Sequence, residues 1–241
     1  MAKLACRSNH KSKFNGFLFE IKVMYNMLLG YEDTRRLLEK HHIKLAEGFY
    51  CKTVEEVLKK SKTLPKPWVL KAVGGGVLHK TEKKLIALDL HNFELLYNAA
   101  QRLEKNVITC GLEGGECGFL LQSELKGVEL IIGGKQDAVF GKTILFGSGG
   151  VAVELFKDFA TRICPIGKQD GLQMIEETKA KAFFTKDGFR GRTASREKIV
   201  ELLLKTSRLL ESETQVKELD FNPVIADGQS AWVVDAKITV E

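Results

Sequence analysis

No apolar run in this 241-residue chain reaches the length needed to span a bilayer as a helix. The two strongest candidates, Phe119 to Leu121 and Leu130 to Ile132, are cut short by polar residues or glycine. Cysteine is scarce and unpaired: Cys6, Cys51, Cys110, Cys117 and Cys164 show no C-x-x-C spacing, and their number is odd. That pattern argues against a disulfide framework or a zinc site and for a reducing cytoplasm. The N-terminus, basic around Lys11, Lys13 and Lys22, lacks the apolar core of a secretion signal, so residues 1–29 read as an N-terminal extension. The chain has no Walker G-K-[ST], no G-x-G-x-x-G opening a helix and no Ser-His-Asp or Cys-His arrangement of recognisable spacing. The net charge of +6 is spread along the chain without a zinc-finger, RNA-recognition or cold-shock pattern. Phosphorylated small molecules draw on such charge as well as nucleic acid does, and they are the expected partner class.

With 44% hydrophobic residues the chain suits one large domain or two small ones. Tyr31 to His41 is amphipathic and helical, and Gly48 to Cys51 is a short strand. Thr53 caps a helix from Val54 to Lys60, and Pro65 and Pro67 stop it before a strand from Trp68 to Val73. A strand over Leu85 to Leu90 and a helix over Asn92 to Lys105 complete a compact α+β unit that ends in the loop Gly111 to Gly118. The larger unit runs through strands near Phe119 to Leu125, Val128 to Ile132 and Thr143 to Phe146, then helices near Lys168 to Thr178 and Ser195 to Leu210. These elements divide the chain into residues 30–118, with a small lobe from about 48, and a large lobe over 119–241.

The most informative stretch is Glu218-Leu219-Asp220-Phe221-Asn222-Pro223-Val224 with Trp232-Val233-Val234-Asp235. Strand alternation puts Asp220 and Asn222 on one face, and a two-residue turn at Asp227-Gly228 would set Asp235 directly across from Asp220. Two carboxylates and an amide oxygen make an all-oxygen cluster suited to Mg2+; the alternative is a solvated hairpin. Lys71 sits in an otherwise apolar strand and shares a face with Val69 and Val73. A buried ammonium there needs an anion, unless the strand is an edge and the lysine reaches water. His79 follows Gly74-Gly75-Gly76 beside Lys80, as a surface histidine or as a nucleophile toward phosphorus. Arg162 alternates with apolar residues as Lys71 does and is a second candidate anion ligand. Phe146 to Val151, though glycine-rich, reads as a tight connection between strands.

Val69-Leu70-Lys71, Leu78-His79-Lys80-Thr81, Gly127-Val128-Glu129-Leu130, Phe146-Gly147-Ser148-Gly149-Gly150, Arg162 and Leu219-Asp220-Phe221-Asn222-Pro223-Val224 stand in an order and spacing that resembles the ATP-grasp β subunit of ADP-forming acyl-CoA synthetases. The resemblance covers about Gly30 to Ile238 and extends to the β subunit of succinyl-CoA synthetase. It implies an α+β ATP-grasp fold with ATP or ADP between two lobes. On the matching positions, Lys71 and Arg162 would hold phosphates, Gln122, Ser123 and Glu124 would border the adenine, and Glu129 would lie near the ribose or the metal waters. Asn222 and Asp235, with Asp220 beside them, would bind Mg2+. His79 would relay a phosphoryl group to a histidine on a CoA- and acid-binding α subunit, in an α2β2 assembly. Against the family pattern, Glu82-Lys83-Lys84-Leu85 replaces Asp-Val-Gly-Gly-Val, Gly74-Gly75-Gly76 replaces Ser-Pro-Asp, and Gln122-Ser123-Glu124 stands where Gln-Glu-Met is common. Two rival readings are a stand-alone carboxylate–amine ligase, which needs no phosphohistidine, and a non-catalytic nucleotide-sensing module.

Overall fold

The computed structural model describes residues 27–73, 85–109, 117–150 and 158–241. Two antiparallel sheets organise them. The larger is built on β1 (Met27–Leu28), β6 (Val128–Asp137), β7 (Gly141–Ser148), β8 (Phe159–Ile163), β9 (Val216–Ala226), β10 (Ala231–Val233) and β11 (Ala236–Val240). Its order is β1-β11-β9-β6-β7-β8, with β10 also paired to β9. The smaller holds β2 (Gly48–Cys51), β3 (Trp68–Val73), β4 (Ile86–Leu90) and β5 (Gly118–Ser123) in the order β2-β5-β3-β4. Among the described residues, no helix is long and apolar enough to cross a membrane.

Each sheet buries one face. In the large sheet Leu130, Ile132, Ile144, Phe146, Leu219 and Phe221 alternate inward. They pack with Met174 and Ile175 of α4 (Lys168–Glu176) and with Ile199, Leu203 and Leu210 of α5 (Arg196–Ser212). In the small sheet Trp68, Leu70, Ala72, Phe119 and Leu121 face α2 (Val54–Ser61) and α3 (Phe93–Thr109) through Val57, Leu96, Ala100 and Leu103. As expected, Thr53 caps α2: its hydroxyl accepts from the Glu56 amide at 3.3 Å, and the Glu56 carboxylate accepts from the Lys52 amide at 2.7 Å.

The lobe boundary differs from the expected one at residue 119. β5 is an inner strand of the small sheet, between β2 and β3, because Phe119 and Leu121 complete the small core beside Trp68 and Leu70. The chain crosses to the large lobe after Ser123, and Gly127 marks the arrival, where a Cβ would fall 2.5 Å from the Ala226 carbonyl oxygen. The beginning of the chain is also reassigned. β1 pairs with β11, and Leu38 of α1 (Tyr31–Lys40) lies in the large core. Residues 43–47 form the other crossing: Leu45 bridges Val233, the Ala46 amide donates to the Val233 carbonyl at 2.8 Å, and the Val233 amide donates to Lys44 at 2.9 Å.

The hairpin closes with a loop two residues longer than expected. Ala226 pairs with Ala231, leaving Asp227 to Ser230 as the turn. The Asp227 carboxylate accepts from the amides of Gln229 and Ser230, which widens the Asp-Gly turn. Asp235 therefore faces Asn222, whose amide donates to its carbonyl at 3.0 Å, and Lys237 is directly across from Asp220. A shift of two residues preserves the faces, so Asp220, Asn222, Asp235 and Lys237 stay on one side.

Candidate nucleotide and metal site

Register sets out the two walls of a cleft. On the small sheet Lys71 pairs with Leu120 and Ile86, and Val69 pairs with Gln122, so these side chains share the face turned away from α2 and α3. On the large sheet Glu129 pairs with Ile225 and Gly133 with Asp220, so Glu129, Ile225, Asp220 and Asn222 share the face turned away from α4 and α5. A register shift in β9 against Leu130 and Ile132 falls at Asn222-Pro223 and bends the strand beside the acidic pair.

Lys71 joins the two walls. It is 3% exposed, and its Nζ donates to the Val234 carbonyl at 3.2 Å, one residue before Asp235. The cost of burying an ammonium in an apolar strand is thus offset by an acceptor on the other lobe. Asp220 shows the electrostatics of the same place. Burial pushes its carboxyl above the usual range, Lys237 opposite pulls it down, and Asp235 and Glu218 push it up. Two carboxylates and one amide provide hard oxygen donors. Among the described residues no three His, Cys, Asp or Glu side chains are disposed to hold a metal together. This donor set fits a cation that takes the rest of its shell from water and phosphate.

Gln122 is 1% exposed at the edge of the small wall, and its Nε2 donates to the Ala46 carbonyl at 3.3 Å. Its Oε1 is buried without a hydrogen-bond partner, an acceptor left over on a cleft-facing side chain. The two residues after it are engaged elsewhere: the Ser123 hydroxyl donates to the Pro65 carbonyl, and the Glu124 carboxylate accepts from the Asp89 amide at 3.0 Å. Glu129 is exposed on the large wall, and its carbonyl accepts from the Gly149 amide at 2.7 Å. A Cβ on Gly149 would lie 2.6 Å from the Glu129 carbonyl carbon, so the close approach of that loop requires glycine.

Arg162 is placed away from this group. It pairs with Ile144, which belongs to the helix-covered face, and its guanidinium is held by the Glu177 carboxylate at 2.5 and 3.0 Å. This pairing holds the Glu177 carboxyl below its ordinary range. Alternation alone could not tell which face β8 presents to the helices. His79, with Gly74 to Gly76 and Lys80 to Lys84, lies outside the described residues. Sequence motifs alone do not bring Lys237 beside Asp220. The signal was available in its place two residues after Asp235, but only the true register sets it against Asp220.

Residues 24–240 match the family model of the ATP-grasp domain. The chain is 34% identical over 214 residues to the β subunit of ADP-forming acetate–CoA ligase II from Pyrococcus furiosus, covering 87% of this chain and 90% of the relative. The chain belongs to the ATP-grasp family of ADP-forming acetate–CoA ligase β subunits. To ADP-forming acetate–CoA ligase II of Archaeoglobus fulgidus it is 34% identical over 89% of its own length, but it spans only 30% of that longer protein. Acetyl-coenzyme A synthetase 1 of Ca. Korarchaeum cryptofilum has been solved with coenzyme A and Ca-AMPCP. It superposes with a TM-score of 0.82 at 34% identity, covering 89% of this chain and 93% of that one. A further structure of that synthetase, with Mg-AMPPCP and a phosphohistidine segment pointing towards the nucleotide binding site, superposes at 0.72 with 32% identity, covering 88% and 92%.

Proposed function

We propose that this chain is the nucleotide-binding subunit of an ADP-forming acyl-CoA ligase. It moves a phosphoryl group between ATP or ADP and a partner α subunit that binds CoA and the acid, in the reversible reaction acid + CoA + ATP to acyl-CoA + ADP + phosphate. The observation that carries this reading is the reach of Lys71 from the small sheet to Val234, beside Asp235 and Asn222 of the large one. Phosphate ligand and cation ligands from opposite lobes meet at one point, as a nucleotide held between the lobes requires. The unpartnered Gln122 Oε1 supplies an acceptor for an adenine amino group, and Glu129 stands on the opposite wall for the ribose. In sequence, the segment that carries His79 runs between the end of β3 at Val73 and the start of β4 at Ile86, which pairs with Lys71.

Asn222 and Asp235, with Asp220 beside them, would hold Mg2+, which would supply charge shielding to the phosphates. In the forward direction the His79 imidazole attacks the γ-phosphorus in line, a nitrogen–phosphorus bond forms, and the bond to the β-phosphate oxygen breaks with ADP leaving. Lys71 neutralises charge on the phosphate chain throughout. The phosphoryl group then passes to a histidine of the α subunit in an α2β2 assembly. The test is co-purification with a candidate α subunit, followed by CoA-dependent ADP formation over a panel of carboxylic acids. ADP formation without CoA, with an amine as acceptor, would instead support a carboxylate–amine ligase.

A further inference from the structure

Two lysines stand close to the acidic pair at the cleft. Lys237 lies directly across from Asp220 in the β9–β11 ladder, half-buried, and on the same face as Asp235 two residues earlier. Lys71 approaches from the other lobe and donates to the Val234 carbonyl. The next carboxylate on that face of β9, Glu218, has Lys135 directly across from it on β6. Asp220 and Glu218, the acidic positions of β9 on this face, each stand in register with a lysine, and Asp235 lies two residues before Lys237 and directly after Val234, whose carbonyl accepts from Lys71.

We propose that Lys237 is a built-in counter-ion that prevents Asp220 and Asp235 from capturing a bare divalent cation, so that metal enters only with the phosphates of the nucleotide. The inference rests on the metal reading above and deepens it. A divalent ion arriving alone meets an acidic pair beside the Lys237 ammonium, whose repulsion it must overcome, and gains little on binding. A nucleotide changes the balance, because its phosphates take up Lys71 and bring several negative oxygens of their own. The metal then has both a negative environment and the extra ligands its shell demands. A protein arranged in this way avoids a dead-end complex that holds metal but no nucleotide.

The test is Mn2+ binding followed by electron paramagnetic resonance, with and without ADP, after thermal melting has shown each variant to be folded. Wild type should bind Mn2+ at least tenfold more weakly without ADP than with it. Lys237→Gln and Lys237→Met should take up Mn2+ alone at least tenfold more tightly than wild type, the order expected for removing one charge beside a divalent ion. Lys237→Arg should behave as wild type, and adding Asp235→Ala to Lys237→Gln should abolish the gain. Tight binding of Mn2+ alone by wild type overturns the proposal, as does unchanged Mn2+ affinity in a folded neutral variant while Asp235→Ala still weakens Mn2+–ADP binding. Mn2+–ADP binding that survives Asp235→Ala would instead remove the metal assignment itself.

Discussion

Lys71 Nζ and the Val234 carbonyl oxygen, 3.2 Å apart, join residues 163 positions apart in sequence and on different sheets. This contact answers the question posed by a lysine inside an apolar strand: its partner is on the facing lobe. It also makes a clear expectation about what Lys71 contributes. Without nucleotide, a charge-assisted hydrogen bond is set against the desolvation of a buried ammonium, and the two nearly cancel. Lys71→Met should change the unfolding free energy of the nucleotide-free chain by no more than about 1 kcal/mol. Nucleotide affinity, read by calorimetry, should fall at least tenfold. A variant that unfolds readily yet binds ADP normally would make Lys71 structural.

Arg162 should behave in the opposite way. Its guanidinium is bound to Glu177 on the helix-covered side, where the pair ties β8 to the end of α4. Arg162→Ala should leave ADP affinity unchanged and cost about 0.5 kcal/mol of stability, the range of a partly exposed ion pair. Loss of nucleotide binding with normal stability would return Arg162 to the phosphate site.

Glu213 ties α1 to the C-terminal end of α5. Its carboxylate accepts from Lys40 at 2.6 Å, lies 2.8 Å from His41 Nε2 and accepts from Gln215 at 2.9 Å. Those bonds, led by Lys40, hold its pKa down at about 2, against 4.5 for a free glutamate. A carboxyl with a depressed pKa stabilises the fold above its unfolded pKa, and that contribution is lost as pH falls through its folded one. Glu213→Gln should therefore cost about 2 kcal/mol at neutral pH. The gap between variant and wild type should narrow as pH falls from 4.5 toward 2. Melting curves over that range check both the size and the sign.

For His79 the expected outcome is chemical. With the α subunit, acyl-CoA and labelled inorganic phosphate, label should appear on this chain in acid-labile, base-stable form and then pass to added ADP. His79→Ala should abolish both steps and spare labelling of the α subunit. A His79→Ala enzyme that makes ATP at the wild-type rate would mean direct transfer from the α subunit to ADP.

Several elements were legible in the residues alone because their signals are local. β2 and β3 have the expected bounds, Thr53 caps α2, and the Leu38 side of α1 is the buried one. Alternation also put Asp220 and Asn222 on one face of β9, and the order of the motifs pointed to the ATP-grasp fold that the family model matches.

Tertiary structure decided whatever depended on a partner distant in the chain. β5 joins the small sheet because Phe119 and Leu121 find their apolar neighbours there, and no local pattern names the sheet that a buried strand will enter. Arg162 and Lys71 have the same signature, a cation among apolar residues, yet one meets a carboxylate behind its sheet and the other a carbonyl across the cleft. Asp227 turned two neighbouring amides onto its own carboxylate, lengthened the hairpin loop and replaced Asp235 with Lys237 as the residue facing Asp220. The period of a strand determines the face of a side chain, but the loop determines its register, and register is what sets one charge against another.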